Sequence, residues 1–379
     1  MLDPLLLLQD LIRRPSVTPA EEGVLGVLEA ALTSLGFSCE RVRFEGDGSY
    51  PVDNLFATRG EAGKHLLFAG HTDVVPPGDG AAWRHQPFAA EIVDGTIYGR
   101  GAADMKSGIA AFIAAIARAP EAGRISLAIT NDEEADAVNG TDKLMAWATA
   151  EGHRFDFAIV GEPSATARVG DSIKVGRRGS LNGQIRVTGT QGHVAYPDKA
   201  NNPLPAAALL IGALTGKLDD GTEHFPPSNL EFTSADVGNE TTNVIPAAVL
   251  LRFNVRYNDR WTPESLIAAI EEVIGNQDLR DCHAEFTVVG RPSRSFLSPL
   301  GGGVETLIET IARRTGIAPE LSTGGGTSDA RFIAEYCPVV EFGLPGPSMH
   351  KVDENVRLAD VEDLTALYAQ FIADYLGEV

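Results

Sequence analysis

The stretch that most constrains this chain is His65-Leu-Leu-Phe-Ala-Gly-His-Thr-Asp-Val-Val-Pro-Pro-Gly-Asp79. Its apolar run, residues 65–69, predicts a buried strand. The strand is expected to stop at Gly70, so that His71 and Asp73 stand just beyond its end. Two residues apart in extended chain, their side chains share a side. A histidine beside a carboxylate suits a metal: one ring nitrogen ligates, and the other N–H donates to an orienting partner. His-x-Asp alone is a weak signal, because most such pairs are surface polar residues. Later acidic stretches and one late histidine give it weight.

The rest of the chain supplies the frame. Helical spacing of Leu, Val and Ala marks residues 3–14 and 20–35, with Pro15-Ser-Val-Thr-Pro19 between them. Strands are expected at 53–58, 65–70, 125–130 and 157–160. Between the middle two, the Gly-rich loop Tyr98-Gly-Arg-Gly-Ala-Ala-Asp104 leads into an almost wholly apolar, buried helix over 107–118. A further helix is expected at 141–150. Strands alternating with helices make an α/β sandwich. The pattern then changes to a strand at 183–188, a helix at 203–217, strands at 229–237 and 247–257, a helix at 263–274 and a strand at 284–288. That is the split β-α-β-β-α-β motif. Beyond residue 292 the α/β pattern returns, with a helix near 304–315, a strand at 339–342 and a final helix at 359–375. The expected fold is therefore α/β: a mixed-sheet, three-layer domain of residues 1–178 and 291–379, interrupted by an inserted α+β, ferredoxin-like domain of residues 179–290.

Composition agrees and excludes some functions. A chain of 379 residues exceeds one ordinary core, so two domains are expected. With 31 Lys and Arg against 52 Asp and Glu, the net charge of −21 should repel nucleic acid and anionic membranes. No apolar run approaches the roughly 20 residues of a membrane span. The N-terminus carries an acid where an export signal needs bases, so a cytoplasmic location is expected. Cys39, Cys282 and Cys337 are widely spaced with no CxxC, which supports neither a disulfide framework nor a thiolate zinc site.

The chemistry-bearing residues fall at corresponding places. Glu133 and Glu134 follow one expected strand, Glu162 another and His71 a third, while Asp104 precedes the buried helix. Groups just past the carboxyl ends of several strands converge on one crevice in an open α/β sheet. Among the eight histidines, His71, His193 and His350 lie in Gly- and Pro-rich segments, and the others in ordinary polar surroundings. Two histidines and three carboxylates fit a pair of zinc ions. One ion takes His71, Glu162 and a shared Asp104; the other takes His350, Glu134 and the same Asp104. Two dications balance three carboxylates and one hydroxide, leaving no buried charge uncompensated. Glu133, beside a ligand but not one itself, is left to act as general base.

Five segments carry a resemblance: Gly70-His-Thr-Asp-Val-Val-Pro-Pro-Gly78, Gly99-Arg-Gly-Ala-Ala-Asp-Met-Lys-Ser-Gly108, Asp132-Glu-Glu134, Gly161-Glu-Pro163 and the late His350. Together they resemble the co-catalytic di-zinc amidohydrolases almost end to end. The resemblance implies the ligand roles above, with two Zn2+ per subunit and Co2+ as a possible substitute. It implies Asp73 as the orienting partner of His71, Glu133 as base, and a cis peptide between Asp104 and Met105. It also implies that the inserted domain is a lid and a homodimer contact. His193 would then stabilise the oxyanion of the partner's active site.

Narrower motifs sharpen the substrate. Gly176-Arg-Arg-Gly-Ser-Leu181, Gln191-Gly-His-Val-Ala-Tyr-Pro197, Thr242-Asn-Val-Ile-Pro246 and Gly324-Gly-Gly-Thr-Ser-Asp-Ala-Arg-Phe332 resemble members of that family acting on a succinyl amide. They imply hydrolysis of N-succinyl-LL-2,6-diaminopimelate to succinate and LL-2,6-diaminopimelate. Arg177, Arg178, Ser180, Tyr196, Asn243, Arg256 and Thr327 are the substrate contacts so implied. One departure is the Pro345-Gly-Pro347 turn, which lacks the polar side chain expected ahead of His350. Independently, Lys174, Arg177 and Arg178 form a local basic cluster in an acidic chain, and arginine grips carboxylates bidentately. The competing expectations are the same chemistry on another acyl group, as in acetylornithine deacetylation, and a binding protein that keeps the fold without catalysis.

Overall fold

The computed structural model describes residues 2–377. By its contacts the chain divides into two compact units. The first runs to Val175 and resumes over Ser298–Ser322 and from Ser328; the second is Gly176–Leu297 with Thr323–Thr327.

The first unit is built on an eight-stranded mixed sheet. Its central strands lie in the order Arg124–Thr130, His65–His71, Phe157–Val160 and Val339–Glu341, all parallel. Strands of this kind are covered on both faces and need apolar residues throughout. His65–His71 is accordingly buried along its whole length. Antiparallel strands Ser49–Arg59 and Ser38–Gly46 extend one side, and the pair Ser172–Lys174 and Glu320–Ser322 the other. The helix Ser107–Ile116 is buried on every face and packs on the C-terminal helix Leu358–Gly377. Phe68 stacks on Phe112 at 4.1 Å, with Tyr368 edge-on to both.

Two local features set the crevice. The strand expected to stop at Gly70 runs one residue further, because His71 still pairs with Thr130. Next, a Cβ on Gly108 would come within 2.3 Å of the Gly161 carbonyl oxygen. Only a glycine there lets the buried helix press against the turn that carries Glu162. The Asp104–Met105 peptide is cis.

The second unit contains Gly179–Thr188, helix Pro203–Leu214, Asn229–Asp236, Ala248–Tyr257, helix Pro263–Gly275 and His283–Ser293, in chain order. Its four long strands lie in the order Asn229–Asp236, Ala248–Tyr257, Gly179–Thr188, His283–Ser293, all antiparallel. Burial alternates along Gly179–Thr188, and Leu181, Ile185 and Val187 join Leu210 and Ile270 of the two helices in one core. The unit is wider than residues 179–290, because Gly176–Arg177 pairs antiparallel with Phe296–Leu297. Arg177 and Arg178 therefore belong to this unit and not to the first. Among the described residues, no helix is long and apolar enough to cross a membrane.

Candidate metal centre

The parallel strands deliver their carboxyl ends to one place, and the acidic groups follow from there. His71 ends its strand; Glu133 and Glu134 follow Thr130; Glu162 follows Val160. Asp104 reaches the same place from the Gly-rich turn, and His350 from the loop after Val339–Glu341. His71 Nε2 lies 3.2 Å from Asp104 Oδ1 and 3.6 Å from Glu162 Oε1. His350 Nε2 lies 3.2 Å from Asp104 Oδ2 and 3.1 Å from Glu134 Oε1. Each oxygen of Asp104 thus faces a different histidine, and each histidine has its own glutamate.

Donor atoms of His71, Glu133 and Glu162 lie within 4.8 Å of one another, as do those of His71, Asp104 and Glu134. Glu133 therefore belongs to the cluster as closely as the four expected ligands in these groups. The arrangement suits cations on chemical grounds. Four carboxylates face two imidazoles, and of these six groups His71, Asp104 and Glu162 are buried while His350 is exposed; burial with like charge is costly without a counter-ion.

Titration reflects that imbalance. Burial pushes Glu162 well above the usual carboxylate range, and Asp104 adds to the push. Burial likewise raises Glu133 to about 8; His71 opposes this, while Asp329, Glu134 and Asp104 reinforce it. Burial disfavours a charged His71, yet its hydrogen bonds with Asp104 and Asp73 hold its pKa well above the ordinary value. Hydrogen bonds to Asp104 and Glu134 raise His350 to about 10. Below that pH His350 carries a proton that an incoming ion must displace, so affinity for ions should rise with pH across the neutral range. Calorimetric titration of chelator-stripped protein, in buffers of differing ionisation heat, should therefore show protons released at pH 7. A titration with no buffer dependence would contradict the protonated histidines.

Asp73 acts differently from the simplest expectation. His71 Nδ1 lies 2.9 Å from the Asp73 backbone carbonyl and 3.6 Å from its carboxylate. The carboxylate instead accepts the backbone N–H groups of Glu133 and Glu134 at 3.0–3.2 Å, and the Thr18 hydroxyl at 2.8 Å. It orients the base-bearing turn as much as the imidazole. Thr18 was not legible as a site residue, although a Ser/Thr pair held between Pro15 and Pro19 is the one cue to it.

In the second unit the expected substrate contacts form two sets. Ser180 pairs with Arg256 across the strands, Arg256 with Asn229, and Arg178 Nη1 donates to Asn229 Oδ1 at 3.1 Å. Arg177 is buried and donates to the Gly324 carbonyl at 3.1 Å, three residues before the half-buried Thr327. The other set is His193, Tyr196 and Asn243. The His193 and Tyr196 rings are 5.8 Å apart, and the N–H of Val194 donates to the Asn243 carbonyl. Ser180 lies at one end of Gly179–Thr188 and His193 beyond the other, and the nine residues 180–188 alone span roughly 27 Å of strand.

A family model described as peptidase family M20/M25/M40 matches residues 67–374. Succinyl-diaminopimelate desuccinylase of Rhodospirillum centenum is 53% identical over 373 residues, which is 97% of this chain and 95% of the relative. An M20 family metallo-carboxypeptidase from Sulfolobus solfataricus has the same fold, with a TM-score of 0.80 at 17% identity over 99% of both chains. A dinuclear metal-binding M20 peptidase from Bacillus subtilis gives 0.69 at 16% identity, over 99% of this chain and 98% of that one. With a family model spanning most of its length and a relative this similar along nearly all of it, the chain belongs to peptidase family M20/M25/M40.

Proposed function

We propose that this chain is a di-zinc amidohydrolase that cleaves N-succinyl-LL-2,6-diaminopimelate to succinate and LL-2,6-diaminopimelate, a step of lysine and diaminopimelate biosynthesis in the cytoplasm. The observation that carries the dinuclear reading is the division of Asp104, with one oxygen 3.2 Å from each histidine. His71, Glu162 and Asp104 would hold one ion; His350, Glu134 and Asp104 the other. Zinc suits this set of imidazoles and carboxylates, and cobalt can take its place. The substrate follows from the 53% identical relative that bears this activity in its name.

Bound ions would polarise the scissile carbonyl and make water a nucleophile near neutral pH. Glu133 takes a proton from the attacking water and passes it to the departing amine nitrogen as the C–N bond breaks. Asp73 holds the Glu133 turn by two backbone N–H groups, so the base is aimed before substrate arrives. Arg178 and Arg256, with Ser180 and Thr327, offer the cationic and hydroxyl groups that a substrate rich in carboxylates needs. Arg177 is buried and donates to the Gly324 carbonyl, in the loop that carries Thr327.

A homodimer through the second unit completes the reading. The helix Pro203–Leu214 has no charged residue, and Leu204 and Leu209 stay 42% and 39% exposed. An uncharged helix with two exposed leucines supports a partner surface there. The test of the substrate is a steady-state comparison of succinyl-diaminopimelate, acetylornithine and small acetyl-amino acids, with metal content measured on the same sample. The succinyl substrate should have the highest kcat/KM. A higher value for acetylornithine would move the chain to a different acyl specificity, and an absence of hydrolysis by fully metal-loaded protein would make it a binding protein.

A further inference from the structure

Glu354 is fully buried and lies four residues beyond His350. Its Oε1 accepts the backbone N–H of Ala103 at 2.8 Å and of Asp104 at 3.2 Å. Its Oε2 accepts Arg100 Nη1 at 2.6 Å, and its backbone carbonyl accepts the N–H of Gly99 at 2.9 Å. The same Arg100 nitrogen reaches back to the Lys351 carbonyl at 3.3 Å. One buried ion pair therefore ties the turn that carries Asp104 to the loop that carries His350. That loop needs a tie. His350 has φ 62° and Asp353 φ 56°, a left-handed backbone that residues other than glycine adopt only when their surroundings hold them there. A second tie lies on the outer side, where Asp353 accepts the N–H and Nε of Arg84.

The geometry points to Glu354 and Arg100 as positioning residues that set the distance between Asp104 and His350, and so control the ion those two ligands share. This rests on the dinuclear reading above. The other ion is less dependent on the tie. Its remaining ligands, His71 and Glu162, are carried by the sheet itself, at the end of one central strand and just past the next. Loosening the Arg100–Glu354 pair frees the bridging carboxylate and the His350 loop together, and the ion that needs both loses more.

The experiment is a cobalt titration of chelator-stripped full-length protein, read by calorimetry and by the visible absorption of the bound ions. Wild type should take up two ions per chain. Glu354→Gln should weaken one of the two by about tenfold to a hundredfold, the range for groups that orient metal ligands. The other ion should be affected distinctly less, and the absorption of the weakened site should change. In a His350→Ala background, Glu354→Gln should shift the remaining ion within about twofold, as expected when the coupled element is already gone. Thermal unfolding of the stripped variants checks that the chain is folded. If Glu354→Gln does not fold, Arg100→Lys replaces it; that variant keeps the buried charge but not the reach to both Glu354 and Lys351, and should weaken the same ion by a smaller factor. Unchanged affinity for both ions in a folded variant, or equal weakening of both, overturns the positioning role while the dinuclear reading stands. Fewer than two ions on wild type overturns the dinuclear reading itself, and the positioning role with it.

Discussion

Glu133→Gln is expected to fold, to bind two ions per chain, and to lose about 10²–10⁴ in kcat, the usual worth of general acid–base catalysis. The change keeps shape and removes the proton acceptor. The geometry also offers Glu133 a rival role. Glu133 lies within the same 4.8 Å group as His71 and Glu162, so a ligand role and a base role both fit its position. Metal content separates them. A variant that loses an ion along with its activity makes Glu133 a ligand, and one that keeps two ions and more than about a tenth of the activity makes it neither ligand nor base. Glu133 is suited to the base role by its surroundings. Burial raises its carboxyl to about 8 before any ion is present. Dications beside it would favour the ionised form, so filling the site also prepares the acceptor.

How much of this was readable from sequence depended on how local the cause was. The strand ends that carry His71, Glu134 and Glu162 were legible because fully buried parallel strands are written as unbroken apolar runs. The strand Ser38–Gly46 was not, because it is an edge strand in which only Val42 is buried, and charged residues fill half of the rest. The partnership of His71 and Asp73 was legible from their spacing. Which atoms of Asp73 are used was not, since its carboxylate is claimed by N–H groups sixty residues away. Glu354 escaped notice for the same reason on a larger scale: its N–H partners at Ala103 and Asp104 lie 250 residues or more earlier in the chain. The limits of the inserted unit were set by the two-residue ribbon of Gly176–Arg177 with Phe296–Leu297, too short for any periodicity to reveal.

In mixed dimers of Glu133→Ala chains with His193→Ala chains, each nearly inactive alone, activity should return. His193 is exposed, and its ring accepts the N–H of Ala195 through Nδ1, leaving Nε2 free to serve as a donor when the ring is protonated there. As a donor to the developing oxyanion it would be worth about 2.7–4 kcal/mol, or 10²–10³ in kcat. The layout of its own unit argues that this service goes to another chain. Ser180 and Arg256 pair at one end of the strand Gly179–Thr188, and His193 follows its other end. The strand between them is far longer than one small substrate. On the proposed reading, one copy of the unit would not bring both sets to the same molecule, whereas two copies related by a two-fold axis would. If His193 acts across the dimer, one site of each mixed dimer has an intact Glu133 and an intact His193. A randomly assorted equal mixture would then regain about a quarter of wild-type activity, since half the dimers are mixed and half their sites complete. If His193 acts within its own chain, every site lacks one of the two groups and the mixture stays inactive. Mixed dimers verified by two different affinity tags, with no recovered activity, would return His193 to its own subunit.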